Sequence, residues 1–113
     1  MTISTRTVDA VTVVDLNGKL ILGEDTEQFR TWVRGLIQSG AKKILLNMGN
    51  VHYIDSSGVG ELVRAYASAG SQGGQLKLLG LTKRIHDLLT VTKLLTVFEA
   101  HENEKQAIES LRG

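Results

Sequence analysis

The residues best placed for chemistry are Asp55-Ser56-Ser57-Gly58, a carboxylate, two hydroxyls and a glycine in direct succession. Upstream, Lys42-Lys43-Ile44-Leu45-Leu46-Asn47-Met48 reads as an apolar strand with basic residues at its mouth. Downstream, Val59, Leu62, Val63, Tyr66 and Ala67 recur at helical spacing. The four residues therefore sit where a strand gives way to a helix. At such a point the first amide N–H groups lack partners within the helix, and the helix dipole adds partial positive charge. Hydroxyls, carboxylates and phosphate groups are all favoured there. Two readings follow: the aspartate and the serines serve only to cap a helix, or one of the serines carries a modification. Neither G-x-x-x-x-G-K-[ST] nor G-x-G-x-x-G occurs in the chain. Local physics thus yields a well-started helix bearing two hydroxyls, and no activity.

Other site chemistries find little support. His52, His86 and His101 are isolated, and none belongs to an H-x-x-x-H or H-E-x-x-H spacing, so no metal site is expected. Ser56 lacks the G-x-S-x-G elbow of a hydrolase. His52 lies four residues upstream, but one imidazole near a turn does not make a triad. A nucleotide binder would want a lysine near the turn, a metal-holding carboxylate pair and a glycine-rich cradle, all missing around Ser56. No cofactor is expected.

The elements that would position the serines can be read in turn. Val8, Ala10, Val11, Val13, Val14 and Leu16 suggest two short strands, or one hairpin turning near Asp9. Asn17-Gly18 is a turn signal, with Leu20-Ile21-Leu22 as a further short strand. Asp25 is expected to cap the first helix, with Gln28 completing the box. Phe29, Trp32, Val33, Leu36 and Ile37 form its apolar face, so Trp32 is expected in the core. Ser39-Gly40 ends that helix. The second helix is expected over 57–69, a strand over Leu76–Leu79, and a third helix capped by Thr82. Val97–Ala100 reads as a last strand, and Asn103 opens a terminal helix that packs Ile108 and Leu111. Alternation of strand and helix from residue 24 onward implies a parallel centre, and the opening hairpin makes the sheet mixed.

A chain of 113 residues fits one domain, expected to span 1–113. Without cysteine it has neither disulfides nor thiolate ligands, which fits an intracellular protein. Net charge is +1 with no basic stripe, and the five aromatics do not form a nucleic-acid platform. No apolar run approaches the ~18 residues needed to cross a membrane. A cytoplasmic domain without membrane insertion is expected. The charged stretches Glu99–Lys105 and Lys83-Arg84 read as solvated faces.

The run Ile54-Asp55-Ser56-Ser57-Gly58-Val59-Gly60 resembles the signature of STAS domains, and more narrowly that of bacterial anti-sigma factor antagonists. Supporting pieces are Leu16-Asn17-Gly18-Lys19-Leu20, Gly73–Leu78 and Leu94–Phe98. The resemblance implies a mixed central sheet of 4–5 strands flanked by about four helices. It also implies that the serine after the aspartate, Ser56, is phosphorylated by an anti-sigma factor that is itself a kinase of the histidine-kinase-like ATPase type. Ser57 is the alternative acceptor. The unmodified form would bind that factor and release a sigma factor, and a serine phosphatase would reset the switch. Partner contacts would then come from Ile21, Glu24, Asp25, Asp55, Ser56, Ser57, Gly58, Val59 and Gly60. Many relatives carry an aspartate where this chain has Ile21. The alternative is a STAS module that is never phosphorylated, such as a lipid-transporter subunit or a stress-signalling scaffold component, since fold alone does not fix function.

Overall fold

The computed structural model describes residues 1–112. Two strands open the chain: β1 (Thr2–Val8) and β2 (Val11–Leu20) pair antiparallel. Their hairpin turns on Asp9 and Ala10, both with positive φ, the conformation whose twist matches that of the flanking strands. Then follow α1 (Glu24–Gln38), β3 (Lys43–Ile54), α2 (Ser56–Ser71), β4 (Gln75–Leu79), α3 (Lys83–Val91), β5 (Ala100–His101) and α4 (Glu104–Arg112). The sheet has five strands in the order β1-β2-β3-β4-β5, with every pairing after the first parallel.

The three parallel crossovers step in one direction, and α1, α2 and α3 pack on the same face, as crossovers of one hand require. Side-chain alternation along the strands divides the core accordingly. Val14, Leu16, Ile44, Leu46, Met48, Leu76 and Leu78 pack against Phe29 and Val33 of α1, Leu62 and Ala65 of α2, and Ile85 and Leu89 of α3. On the opposite face Val11, Val13, Leu45 and Leu79 meet Ala107, Ile108 and Leu111 of α4. Leu45, between Ile44 and Leu46, explains why β3 reads as an unbroken apolar run: both of its faces are covered.

Several expectations need correction. Asn17-Gly18 does not end a strand; β2 runs through it, and shifts in pairing with β3 mark an irregularity there. Leu20 is the last residue of β2, so Leu20–Leu22 forms no strand of its own. Gly23, not Asp25, caps α1, at a φ of 115° that suits glycine. Its N–H donates to Thr26 Oγ1, which in turn donates to the Gly23 carbonyl. Trp32 is 37% exposed, because the buried stripe of α1 is centred on Phe29 and Val33 and leaves it at the edge. The last strand is not 97–100 but the pair Ala100–His101; Phe98 is buried beneath the preceding turn, edge-on to Tyr66 at 5.5 Å.

Candidate functional site

The Asp55 backbone is still extended, its side chain accepts from the Gly58 N–H at 2.8 Å, and α2 begins at Ser56. Asp55 is thus an N-cap residue, satisfying one of the orphan donors of the helix. The same carboxylate accepts from the Leu22 N–H at 2.9 Å, while the Asp55 N–H donates to the Leu20 carbonyl at 3.4 Å. Two amides on one carboxylate, that of Leu22 first and that of Gly58 second, hold its pKa below the usual carboxylate range. These bonds bring the loop between β2 and α1 against the start of α2.

Ser56 occupies the first position of α2 and is exposed; Ser57 is half-buried beside it. Gly58 and Val59 are buried, so they hold the helix start and present no surface. A Cβ on Gly58 would lie 2.3 Å from the Leu20 carbonyl oxygen and 2.6 Å from Ile54 Cγ1. Only glycine lets α2 approach β2 this closely. Gly60 is half-buried with open space beside it.

Of the residues expected from the first helix, Ile21 is half-buried in the loop and Glu24 is exposed in the first turn. Asp25 is half-buried, its carboxylate 3.3 Å from the Met1 ammonium. The structure therefore joins Ile21 to Asp55 through the shared loop, while Asp25 turns to the chain's start.

Sequence reasoning missed three features that the structure shows. Leu22 is 74% exposed, an apolar side chain standing in water beside Asp55; its position just before a turn glycine was the available signal. Arg84, at the start of α3, lies over the ring of Tyr53 at 5.4 Å, a cation–π contact between distant segments. Glu61, 3% exposed on α2, receives Arg30 of α1 through Nε and Nη2 and Arg64 through Nη1 at 2.6 Å. Arg30 above all holds the Glu61 carboxyl below its usual range. Local spacing announces only the Glu61–Arg64 pair, three residues apart on one helix; the Arg84–Tyr53 and Arg30–Glu61 contacts join separate elements.

Among the described residues, no group of three or more His, Asp or Glu is placed to hold a metal ion. No described helix is long and apolar enough to cross a membrane. His52 and His86 are exposed; His101 Nε2 lies 2.7 Å from Glu99 and 3.3 Å from Ser110 Oγ. Both neighbours meet the same ring nitrogen, so the three do not form a Ser-His-acid relay.

The model of the STAS domain matches residues 2–107. The chain belongs to the STAS family. Within it, this STAS chain falls among the anti-sigma factor antagonists. It is 31% identical over 111 residues to the anti-sigma-B factor antagonist of Staphylococcus aureus, covering 96% of this chain and 98% of that one. The crystal structure of TM1081 from Thermotoga maritima superposes with a TM-score of 0.91 at 27% identity, covering 98% of this chain and 95% of that one. Bacillus SpoIIAA in its phosphorylated form matches with a TM-score of 0.75 at 23% identity, over 98% of this chain and 100% of that one, a likeness of fold.

Proposed function

We propose that this STAS chain is a phosphorylation-controlled antagonist of an anti-sigma factor, working as one unit over 1–113. Unphosphorylated, it binds an anti-sigma factor that is a serine kinase of the histidine-kinase-like ATPase type, and so frees a sigma factor. Phosphorylation of Ser56 ends the binding, and a serine phosphatase restores it. The setting is the cytoplasm. The chain acts by occupying a partner and catalyses nothing itself.

The observation that carries this reading is the placement of Ser56: an exposed hydroxyl, first in its helix, next to an apolar loop fastened by Asp55. A kinase reaches such a hydroxyl without unfolding the domain. The loop that Asp55 fastens carries Ile21 and the exposed Leu22, and the exposed Glu24 follows two residues on, so the segment offers a mixed apolar and acidic surface. Gly58 and Val59, being buried, shape this surface from beneath and do not contact the partner.

Phosphorylation adds close to two negative charges and three strong acceptors at neutral pH. The domain tolerates them, because helix N-termini stabilise anions by up to ~2 kcal/mol. Here the benefit is smaller, since Asp55 already occupies the Gly58 amide and carries like charge. A docked partner gains no such compensation: new charge and bulk in an interface cost several kcal/mol. The switch therefore blocks a surface without refolding the chain.

The test incubates the protein with ATP and the kinase-type anti-sigma factor of the same genome, followed by mass spectrometry and pull-down. The expected result is one phosphate on Ser56 and retention of the partner by the unmodified form alone. Equal retention by Ser56→Asp would overturn the switch and leave an unphosphorylated binding module.

A further inference from the structure

Away from Ser56, α1 and α2 enclose a groove of about 700 Å³, within the size range of small-molecule sites. We propose that this groove binds a small amphipathic anion, one carboxylate or phosphate head on an apolar body. Three guanidinium groups line it, those of Arg30, Arg34 and Arg64, against the single carboxylate of Glu61. Glu27 acts on Arg30 from one turn away, and an excess of positive charge remains when it is counted.

Glu61 is the built part of the site. It is almost wholly buried, and it takes Arg30 by a fork of three bonds and Arg64 by a fourth. A carboxylate buried in this way fixes the planes of both guanidinium groups. It leaves Nη1 of Arg30, and Nε and Nη2 of Arg64, unspent. Arg34 is exposed, and no carboxylate among the described residues holds it. Donors of fixed direction beside one free cation suit an oxyanion head, which takes two N–H groups of one guanidinium at once. Ile37, half-buried, and Ala67, exposed, line the same groove with apolar side chains over the buried Val33 and Ala65, the complement of an apolar body. A bare inorganic ion would leave that surface unused. The site is independent of Ser56 and stands or falls without the phosphorylation reading.

The experiment is an NMR titration of the full chain with decanoate and with decyl phosphate. AMP supplies a phosphate without an aliphatic body, and decyltrimethylammonium the body with opposite charge. The expected result is saturable shifts of amides in α1 and α2 around Arg30, Arg34 and Arg64 with either acyl anion, and none with the ammonium. Arg34→Gln, at an exposed position where folding is undisturbed, is expected to weaken binding at least about fivefold, and Lys93→Gln to leave it unchanged. Shifts mapping elsewhere, equal affinity in Arg34→Gln, binding of AMP alone, or no response up to about 1 mM would each overturn the proposal.

Discussion

The backbone N–H of Leu22 donates to Asp55 Oδ2 at 2.9 Å, a bond spanning 33 positions of sequence. One carboxylate thus caps α2 and pins the loop that enters α1. Asp55→Ala removes both functions, and its thermal midpoint is expected to fall by several degrees. Hydrogen exchange should quicken at the Leu22 and Gly58 amides. The pH dependence has a definite sign. Because the folded-state pKa lies below the ordinary 3.8, the contribution is complete above that value and is lost as pH falls through the lower folded value. The gap between the wild type and Asp55→Ala should therefore be full at pH 6 and close under strong acid.

Two glycines of the motif respond oppositely to the same substitution. Gly58→Ala forces a methyl group against the Leu20 carbonyl and Ile54, and costs about 1–3 kcal/mol in urea unfolding. Gly60→Ala meets nothing within 4 Å and gains about 0.5–1 kcal/mol from helix propensity.

Glu61→Gln keeps the shape of the buried carboxylate and discards its charge. We expect a loss of about 1–2 kcal/mol, limited because Arg30 and Arg64 reach water and are not stranded by the change. The folded pKa of Glu61 lies below the ordinary 4.5, so this contribution too is present above that value and disappears as pH falls through the folded one. Urea titrations of both proteins across that range measure it.

Ser56 and Ser57 separate in a paired experiment. Ser56→Ala should abolish phosphorylation while keeping the partner, and Ser57→Ala should remain a substrate because Ser56 is the exposed hydroxyl. Ser56→Asp should weaken partner binding by about 100- to 1,000-fold in surface plasmon resonance. Its own stability should stay within about 1 kcal/mol of the parent, as befits an anion at a helix start.

The sequence was most legible where backbone periodicity speaks for itself. Phe29 and Val33 marked α1, the unbroken Ile44–Met48 run marked a strand covered twice, and Thr82 and Asn103 capped the helices they were expected to cap. Failures arose where tertiary contact overrides a local signal. Asn17-Gly18 carries turn residues, yet β3 lies alongside and the chain passes through as an irregular strand. Thr26, three residues beyond the turn glycine, bonds back to Gly23 and displaces Asp25 from the cap. At the candidate site the D-S-S-G order was readable, including the capping role of Asp55. The reach of its carboxylate to Leu22 was not, because that bond joins segments only the folded sheet brings together.

The strands stand side by side in the order in which they are synthesised. No later strand has to be threaded between two earlier ones. A chain leaving the ribosome can close its first hairpin locally and then extend the sheet at one margin only, each helix sealing the strand just added. The two-residue β5 and the α4 that follows it come last, and α4 covers the remaining open face of apolar strand residues. Until α4 emerges, Val11, Val13, Leu45 and Leu79 stay wet, so the nascent domain is most prone to stick to its neighbours while that helix is still unmade.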